Sequence, residues 1–337
     1  VDGLFLLLPL SSTAVSKLNQ PKKISYCRKI DKLVDMFHSI HSRRYWPTLL
    51  LSVLFSLKGL HLSAQLFHQD SLKLIARQFA FTEGPAVDKS GDIYFTDQPN
   101  NKIWKYNTKG QLSLFKDAAG RANGLYFNHQ GQLLACADER NEIWSIGKDG
   151  QVTVLLTAVD GKKLNGPNDL WADKKGGIYF TDPFYLRDYW IRKEPEIAGQ
   201  KVYYLPPGKG KKPIVVAEDV TKPNGIVGSA DGKHLYVADI ERNKTYRYNI
   251  ESDGKLSGQT ALINQGSDGM TLDHLGNIYL TGKGVFIYSP TGLLIGHIEV
   301  NEPWTSNVCF GGKNRTDLFI TASTAIYRLP MLTKGID

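Results

Sequence analysis

Asp173-Lys-Lys-Gly-Gly-Ile-Tyr179-Phe-Thr-Asp182 returns, nearly letter for letter, as Asp88-Lys-Ser-Gly-Asp-Ile-Tyr94-Phe-Thr-Asp97. Looser copies keep the same grammar: Asn128-His-Gln-Gly-Gln-Leu-Leu134, Asp231-Gly-Lys-His-Leu-Tyr236-Val-Ala-Asp239, Asp273-His-Leu-Gly-Asn-Ile-Tyr279-Leu-Thr281 and Asn314-Arg-Thr-Asp-Leu-Phe319-Ile-Thr321. Each is a tight turn feeding an apolar strand, and the segments alternate instead of showing the 3.6-residue period of a helix. Between positions 94, 134, 179, 236, 279 and 319 the steps are 40, 45, 57, 43 and 40 residues. Repeats of about 40–45 residues that carry four short strands are the signature of propeller blades. Six copies therefore predict an all-β, six-bladed β-propeller, with further strands at 102–106, 142–146 and 244–248. A strand near 72–79 or the terminal one at 325–329 would close the ring by completing a shared blade. The long step holds an insertion, residues 183–199, carrying Tyr185, Arg187, Tyr189, Trp190 and Arg192. It reads as a lid over the channel mouth or as a surface flap.

The repeat accounts for the chain only beyond about residue 65. With 337 residues, 42% hydrophobic and 11% aromatic, the chain is too apolar for disorder, and three cysteines exclude a cysteine framework or a multi-cysteine zinc module. The net charge of +8 is unevenly placed: residues 1–64 hold nine Lys/Arg against three Asp, leaving 32 basic and 30 acidic side chains beyond. The basic excess belongs to the leader, so no nucleic-acid surface is implied. Arg43-Arg44, the apolar stretch Trp46 to Leu57 and the small-residue exit Leu62-Ser63-Ala64 describe a signal peptide cleaved near Ala64. The stretch is shorter than a membrane span and Lys58 interrupts it, so no stable span is expected after cleavage. The expected organisation is a leader over 1–64, with 1–35 an upstream mis-start, and a propeller over 65–337. The protein would be exported, either periplasmic or secreted. Cys136 and Cys309 are read as two buried thiols, with a bridge between them as the alternative.

Eleven or twelve residues before each aligned position stands one polar side chain: Glu83, Asn123, Asn168, Asn224, Asp268 and Asn307. The first strand of each blade lines the central channel, so one residue per blade at one register converges on the axis. Asn-Gly and Asp-Gly are also hairpin-turn dipeptides, and that is the competing reading. Against it, a second turn this close to the Asp-x-x-Gly turn would leave a strand of only about four residues. A ring of two carboxylates and four carboxamides offers hard oxygen donors, which suit Ca²⁺ or Mg²⁺. Without a cation, Glu83 and Asp268 would repel each other.

These motifs resemble the gluconolactonase/regucalcin group (SMP-30/gluconolactonase/LRE-like) of six-bladed propellers. The likeness spans about residues 75–330 and rests on Glu83-Gly-Pro85, Arg121-Ala-Asn-Gly-Leu125, Leu164-Asn-Gly-Pro-Asn-Asp-Leu170 with Ile178-Tyr-Phe-Thr-Asp-Pro183, Lys222-Pro-Asn-Gly225, Ser267-Asp-Gly-Met270 and Cys309-Phe-Gly-Gly312. The third motif in its long form looks more like bacterial gluconolactonases than regucalcin. The resemblance implies a divalent cation at Glu83, Asn224 and Asp268, with Asn168 completing or flanking the site. Ca²⁺ comes first, with Mg²⁺, Mn²⁺ or Zn²⁺ as alternatives. It further implies Asp268 as the acid/base, Asn123 and Asn168 facing a small-molecule lactone, and metal-assisted lactone hydrolysis. Asn307, the sixth ring residue, is taken as a further substrate contact. One position departs: the place of a substrate-holding Arg in regucalcin is Gly166 here.

Other chemistries have less behind them. No Gly-x-Ser-x-Gly elbow occurs. His129, His234 and His274 fall in or beside outer turns, His297 in a strand-like run, and Trp304 either at the mouth or in the core. A calcium-dependent phosphotriesterase or arylesterase of the same architecture remains an alternative, as does a non-enzymatic binding propeller. The oligomeric state is not legible.

Overall fold

The computed structural model describes residues 65–336. The leader, its cleavage near Ala64 and the mis-start over 1–35 lie outside the described residues. Among these residues no helix is long and apolar enough to cross a membrane.

Twenty-four strands form six four-stranded antiparallel sheets. β1 (Lys73–Arg77) comes first and is set aside for the last blade. Blade one is β2 (Thr82–Val87), β3 (Ile93–Asp97), β4 (Lys102–Tyr106) and β5 (Leu112–Asp117). Blade two is β6 (Ala122–Phe127), β7 (Leu133–Ala137), β8 (Glu142–Ile146) and β9 (Val152–Leu156). Blade three is β10 (Leu170–Ala172), β11 (Ile178–Asp182), β12 (Lys201–Leu205) and β13 (Ile214–Ala217). Blade four is β14 (Pro223–Gly228), β15 (His234–Asp239), β16 (Lys244–Ile250) and β17 (Leu256–Ile263). Blade five is β18 (Met270–Leu272), β19 (Ile278–Gly282), β20 (Gly284–Tyr288) and β21 (Leu294–Ile298). Blade six is β22 (Thr305–Gly311), β23 (Asp317–Ala322), β24 (Ala325–Pro330) and, outermost, β1. Both strands offered for closure thus serve: β24 is the third strand of the shared blade and β1 its edge. Each first strand lies against the first strands of both neighbouring blades, with β22 against β2 completing the circle.

The recurring motif explains this geometry. In the turn, Asp88 Oδ1 accepts from the N–H groups of Ser90 at 2.8 Å and Asp92 at 3.1 Å, while Gly91 takes a left-handed φ of 91°. Asp173 and Asp273 repeat this, with Gly176 and Gly276 in the same conformation. A side-chain-capped turn with glycine at the left-handed position fixes the β2–β3 type of hairpin. The threonine at the strand's end joins blades: Thr96 Oγ1 donates to the Asn123 carbonyl at 3.1 Å and Thr181 Oγ1 to the Asn224 carbonyl at 2.7 Å. The following aspartate closes the entry loop of its own blade, as Asp182 does by accepting from Asn165 N at 2.9 Å and Gly166 N at 2.8 Å. Between blades the core is aromatic, with Phe95 against Phe319 (5.5 Å) across the closure and Tyr94 against Phe127 (5.1 Å) between blades one and two. Phe95, Phe310 and Phe319 are fully buried, each stabilising the fold by about 1.5–3 kcal/mol relative to an exposed ring. Cys136 in β7 and Cys309 in β22 are buried and carry no disulfide, so the bridge is not formed.

Candidate active site

All six ring positions fall at the inner edge of their blades. Glu83, Asn123, Asn224 and Asn307 lie within β2, β6, β14 and β22, and Asn168 and Asp268 stand two residues before β10 and β18. In the four strands that contain them, pairing to the second strand slips at this point, between Glu83 and Ala86, Ala122 and Leu125, Pro223 and Ile226, and Thr305 and Asn307. Such bulges re-aim a side chain away from the regular pleat.

The turn reading of the Asn-Gly and Asp-Gly pairs fails on backbone geometry. A type I′ turn needs positive φ at both central residues, and neither Asn123, Asn224, Asp268 nor the glycines after them adopt it. Those glycines are there for space. A Cβ on Gly124 would fall 2.6 Å from the Asn168 carbonyl, one on Gly225 2.5 Å from the Asp268 carbonyl, and one on Gly269 1.9 Å from Asn307 Cγ. The glycine of one blade lets in the ring residue of the next.

Glu83, Asn123, Asn168, Asn224 and Asn307 are buried, whereas Asp268 keeps intermediate accessibility at the hub. The carboxylates feel one another: burial and then the charge of Asp268 push Glu83 well above the usual range. Burial likewise raises Asp268 to about 6, against the pull of hydrogen bonds from Trp304 and Asn224. A third carboxylate, Asp169, joins them, raised to about 7 chiefly by burial. Asn307 hydrogen-bonds both Glu83 and Asp169. Asp169 was not among the expected residues. Its signal is that blade three reads Asn168-Asp169 where four other blades put glycine or, in blade six, valine after the ring residue. Asn123 and Asn168 enter the ring through their backbone, Gly124 N donating to the Asn168 carbonyl at 2.7 Å, and their side-chain amides make no hydrogen bond among the described residues.

The donor set fits a hard divalent cation. Three carboxylates raised by burial at one hub need positive charge, and the cation whose charge reaches Asp268, Arg187, uses its Nε to bond Asp138 at 2.8 Å. Among the described residues no three His, Cys, Asp or Glu side chains are grouped as a metal cage. A cation held here would need amide oxygens as well as carboxylates, a mixture that suits Ca²⁺.

Residues 183–199 reach the hub. Asp138, at the end of β7, accepts from Gln98 Nε2 (3.2 Å), Arg187 Nε (2.8 Å) and Tyr189 Oη (2.5 Å), and its carbonyl accepts from Trp190 Nε1 (2.9 Å). Trp190 is buried, and a Cβ on Gly166 would meet its ring at 2.8 Å, so the insertion occupies the place that a side chain at 166 would need. Tyr185 Oη accepts from Asn224 Nδ2 at 3.0 Å. Trp304 Nε1 donates to Asp268 Oδ2 at 2.6 Å, which puts this tryptophan at the site. His297 is structural, donating to the Lys283 carbonyl at 2.8 Å and stacked on Phe286.

A profile of the SMP-30/gluconolactonase/LRE-like region matches residues 81–324, from the strand of Glu83 to the turn after β23. The chain belongs to that family. A gluconolactonase of Zymomonas mobilis is 30% identical over 296 residues, covering 78% of this chain and 82% of that protein. The gluconolactonase structure from Xanthomonas campestris superposes with a TM-score of 0.72 at 29% identity, over 77% of this chain and 89% of that one. The calcium-binding protein regucalcin of Agrobacterium tumefaciens shares the fold, with a TM-score of 0.66 at 19% identity over 78% of this chain and 94% of that one.

Proposed function

We propose that this protein is a divalent-metal-dependent hydrolase that opens a lactone ring, a sugar lactone by preference. The observation that carries this is the meeting of Glu83, Asp169 and Asp268 with the amides of Asn224 and Asn307 at one hub. The relatives named gluconolactonase support the substrate class. Glu83, Asn168, Asn224 and Asp268 would hold the cation, Ca²⁺ first. Bound there, it supplies Lewis-acid polarisation of the lactone carbonyl and stabilises developing negative charge on its oxygen.

Asp268 takes the proton of the water that adds to the carbonyl carbon, then gives a proton to the ring oxygen as the C–O bond breaks, leaving a hydroxy acid. Proton transfer by a positioned carboxyl is worth about 10²–10⁴ in rate. Trp304 holds one carboxylate oxygen and so sets the direction of the other. Asn123, Asn168 and Asn307 would lie against the substrate. Export to the periplasm or beyond is part of the same proposal, on the grammar of residues 43–64.

The test is turnover of glucono-δ-lactone, simple lactones and organophosphates by chelator-treated protein, with and without restored Ca²⁺. Calcium-dependent lactone opening is expected. Cleavage of organophosphates alone would overturn the substrate class, and turnover indifferent to chelation would overturn the metal.

A further inference from the structure

The insertion over residues 183–199 reaches the hub and brings a hydrogen-bonding side chain to it. Tyr185 lies at the contact between the two. Two cations approach its ring, Lys222 Nζ at 4.4 Å from the centroid and the Arg187 guanidinium at 5.6 Å. Two cations on one ring hold it by cation–π attraction, each contact worth about 0.5–1 kcal/mol or more when desolvated. Arg187 is in turn fixed by Asp138, so the tyrosine rests on a braced support. Its hydroxyl receives a hydrogen bond from the Asn224 amide at 3.0 Å, which uses an acceptor site and leaves the O–H hydrogen to give. No acceptor takes that hydrogen among the described residues, although the charge of Asp268 is close enough to act on the phenol. A phenol held by two cations, oriented by a ring residue and holding an unused donor within reach of the charge of Asp268 is built to meet an oxygen brought by a ligand.

We propose that Tyr185 is a specificity-determining residue that donates a hydrogen bond to a hydroxyl of a polyhydroxylated lactone bound at the hub. This rests on the lactonase reading above and adds the reason for a hydroxylated ring over a plain one. A site built to hydrogen-bond a substrate hydroxyl discriminates against the analogue that lacks it. Phenylalanine at this position keeps the ring and removes the hydroxyl, both the unused donor and the acceptor of the Asn224 amide hydrogen.

Tyr185→Phe is therefore compared with the wild type on glucono-δ-lactone and on δ-valerolactone, with Ca²⁺ affinity measured by calorimetry in parallel. The expected result is a loss of about tenfold in kcat/KM on the hydroxylated lactone, as one neutral hydrogen bond warrants. δ-Valerolactone should lose less, by no more than the fall in Ca²⁺ affinity that follows from the lost Asn224 contact. Equal loss on both lactones, or none on either, overturns the proposal. Loss on both with weakened Ca²⁺ binding assigns Tyr185 to holding Asn224 instead. Binding of D-gluconate by calorimetry needs no turnover and is expected to weaken about tenfold in Tyr185→Phe. Equal gluconate affinity overturns the role of Tyr185. Weakened gluconate binding in a wild-type protein that opens no lactone overturns the lactonase reading and leaves Tyr185 its role.

Discussion

Trp304 Nε1 donates to Asp268 Oδ2 at 2.6 Å, joining the loop before β22 to the ring position before β18. An indole has one donor and no competing acceptor, so this contact fixes which oxygen of the carboxylate faces away from the hub. Trp304→Phe keeps most of the packing and frees Asp268 to rotate. Turnover or Ca²⁺ affinity is expected to fall about 10–100-fold, the usual cost of removing an outer partner of a metal ligand. Unchanged kinetics and unchanged calorimetry would show the contact to be incidental.

The pH dependence follows from burial. In the metal-free protein Asp169 and Asp268 hold their protons to about 7 and about 6, and Glu83 is also raised. The unfolded chain releases those protons near pH 4, so across the window from about 4 to 7 the folded state binds more protons than the unfolded one. Its stability from these groups is present at low pH and is lost as pH rises through the folded values. A cation reverses this by stabilising the ionised forms. The rise in Tm produced by Ca²⁺ should therefore widen between about pH 5 and pH 8, and Ca²⁺ affinity should weaken on acidification by up to about tenfold per pH unit for each proton displaced. A gap that stays constant over the range would contradict the placement of these carboxylates at the cation.

Asp169→Asn removes one of three mutually repelling charges and keeps an oxygen to accept from Leu170 N, which Asp169 Oδ1 does at 2.9 Å. The metal-free variant at about pH 8 should be more stable by about 1 kcal/mol, or about 2–4 °C in Tm. Its stabilisation by Ca²⁺ should be smaller than the wild type's. Thermal melts with and without chelator test both halves.

Gly225→Ala and Gly269→Ala test the packing of the hub without touching a charge. Each added methyl meets a ring residue of the next blade, the Asp268 carbonyl at 2.5 Å or Asn307 Cγ at 1.9 Å. Each should cost about 1–3 kcal/mol in chemical denaturation and weaken Ca²⁺ binding as the ring is pushed apart. A turn glycine that merely relieved φ would not affect the cation, and here φ is not positive at either position.

Asp138→Asn tests the anchoring of the insertion. The change weakens the support of Arg187 and Tyr189 and is expected to cost about 2–3 kcal/mol. Proteolysis within 183–199 should quicken and KM should rise, with Ca²⁺ affinity retained. Wild-type protease resistance would mean that Trp190, buried against Gly166, is enough to hold the segment.

The blades were legible because the Asp-x-x-Gly turn, the alternating strand and the terminal Thr-Asp recur together, and each has a fixed local task. The ring was legible because one register serves every blade, although the glycines in Asn-Gly and Asp-Gly turned out to make room rather than turns. Asp169 was hidden by the rule of one residue per blade. The role of the insertion was hidden for another reason: its anchor, Asp138, lies 49 residues before Arg187 and belongs to a different blade. Nothing local in either segment announces that pairing. Trp304 could be placed at the mouth or in the core from sequence, and only the contact with Asp268 decides between them.

Calorimetric titration of Ca²⁺ into chelator-treated protein, beside Glu83→Gln and Asn224→Ala, tests the hub as a cation site most directly. A saturable exothermic or endothermic event of one-site stoichiometry in the wild type, lost or weakened at least tenfold in both variants, is the result this account predicts. Binding that survives both substitutions unchanged, or no binding by the wild type at any calcium concentration up to several millimolar, would contradict it.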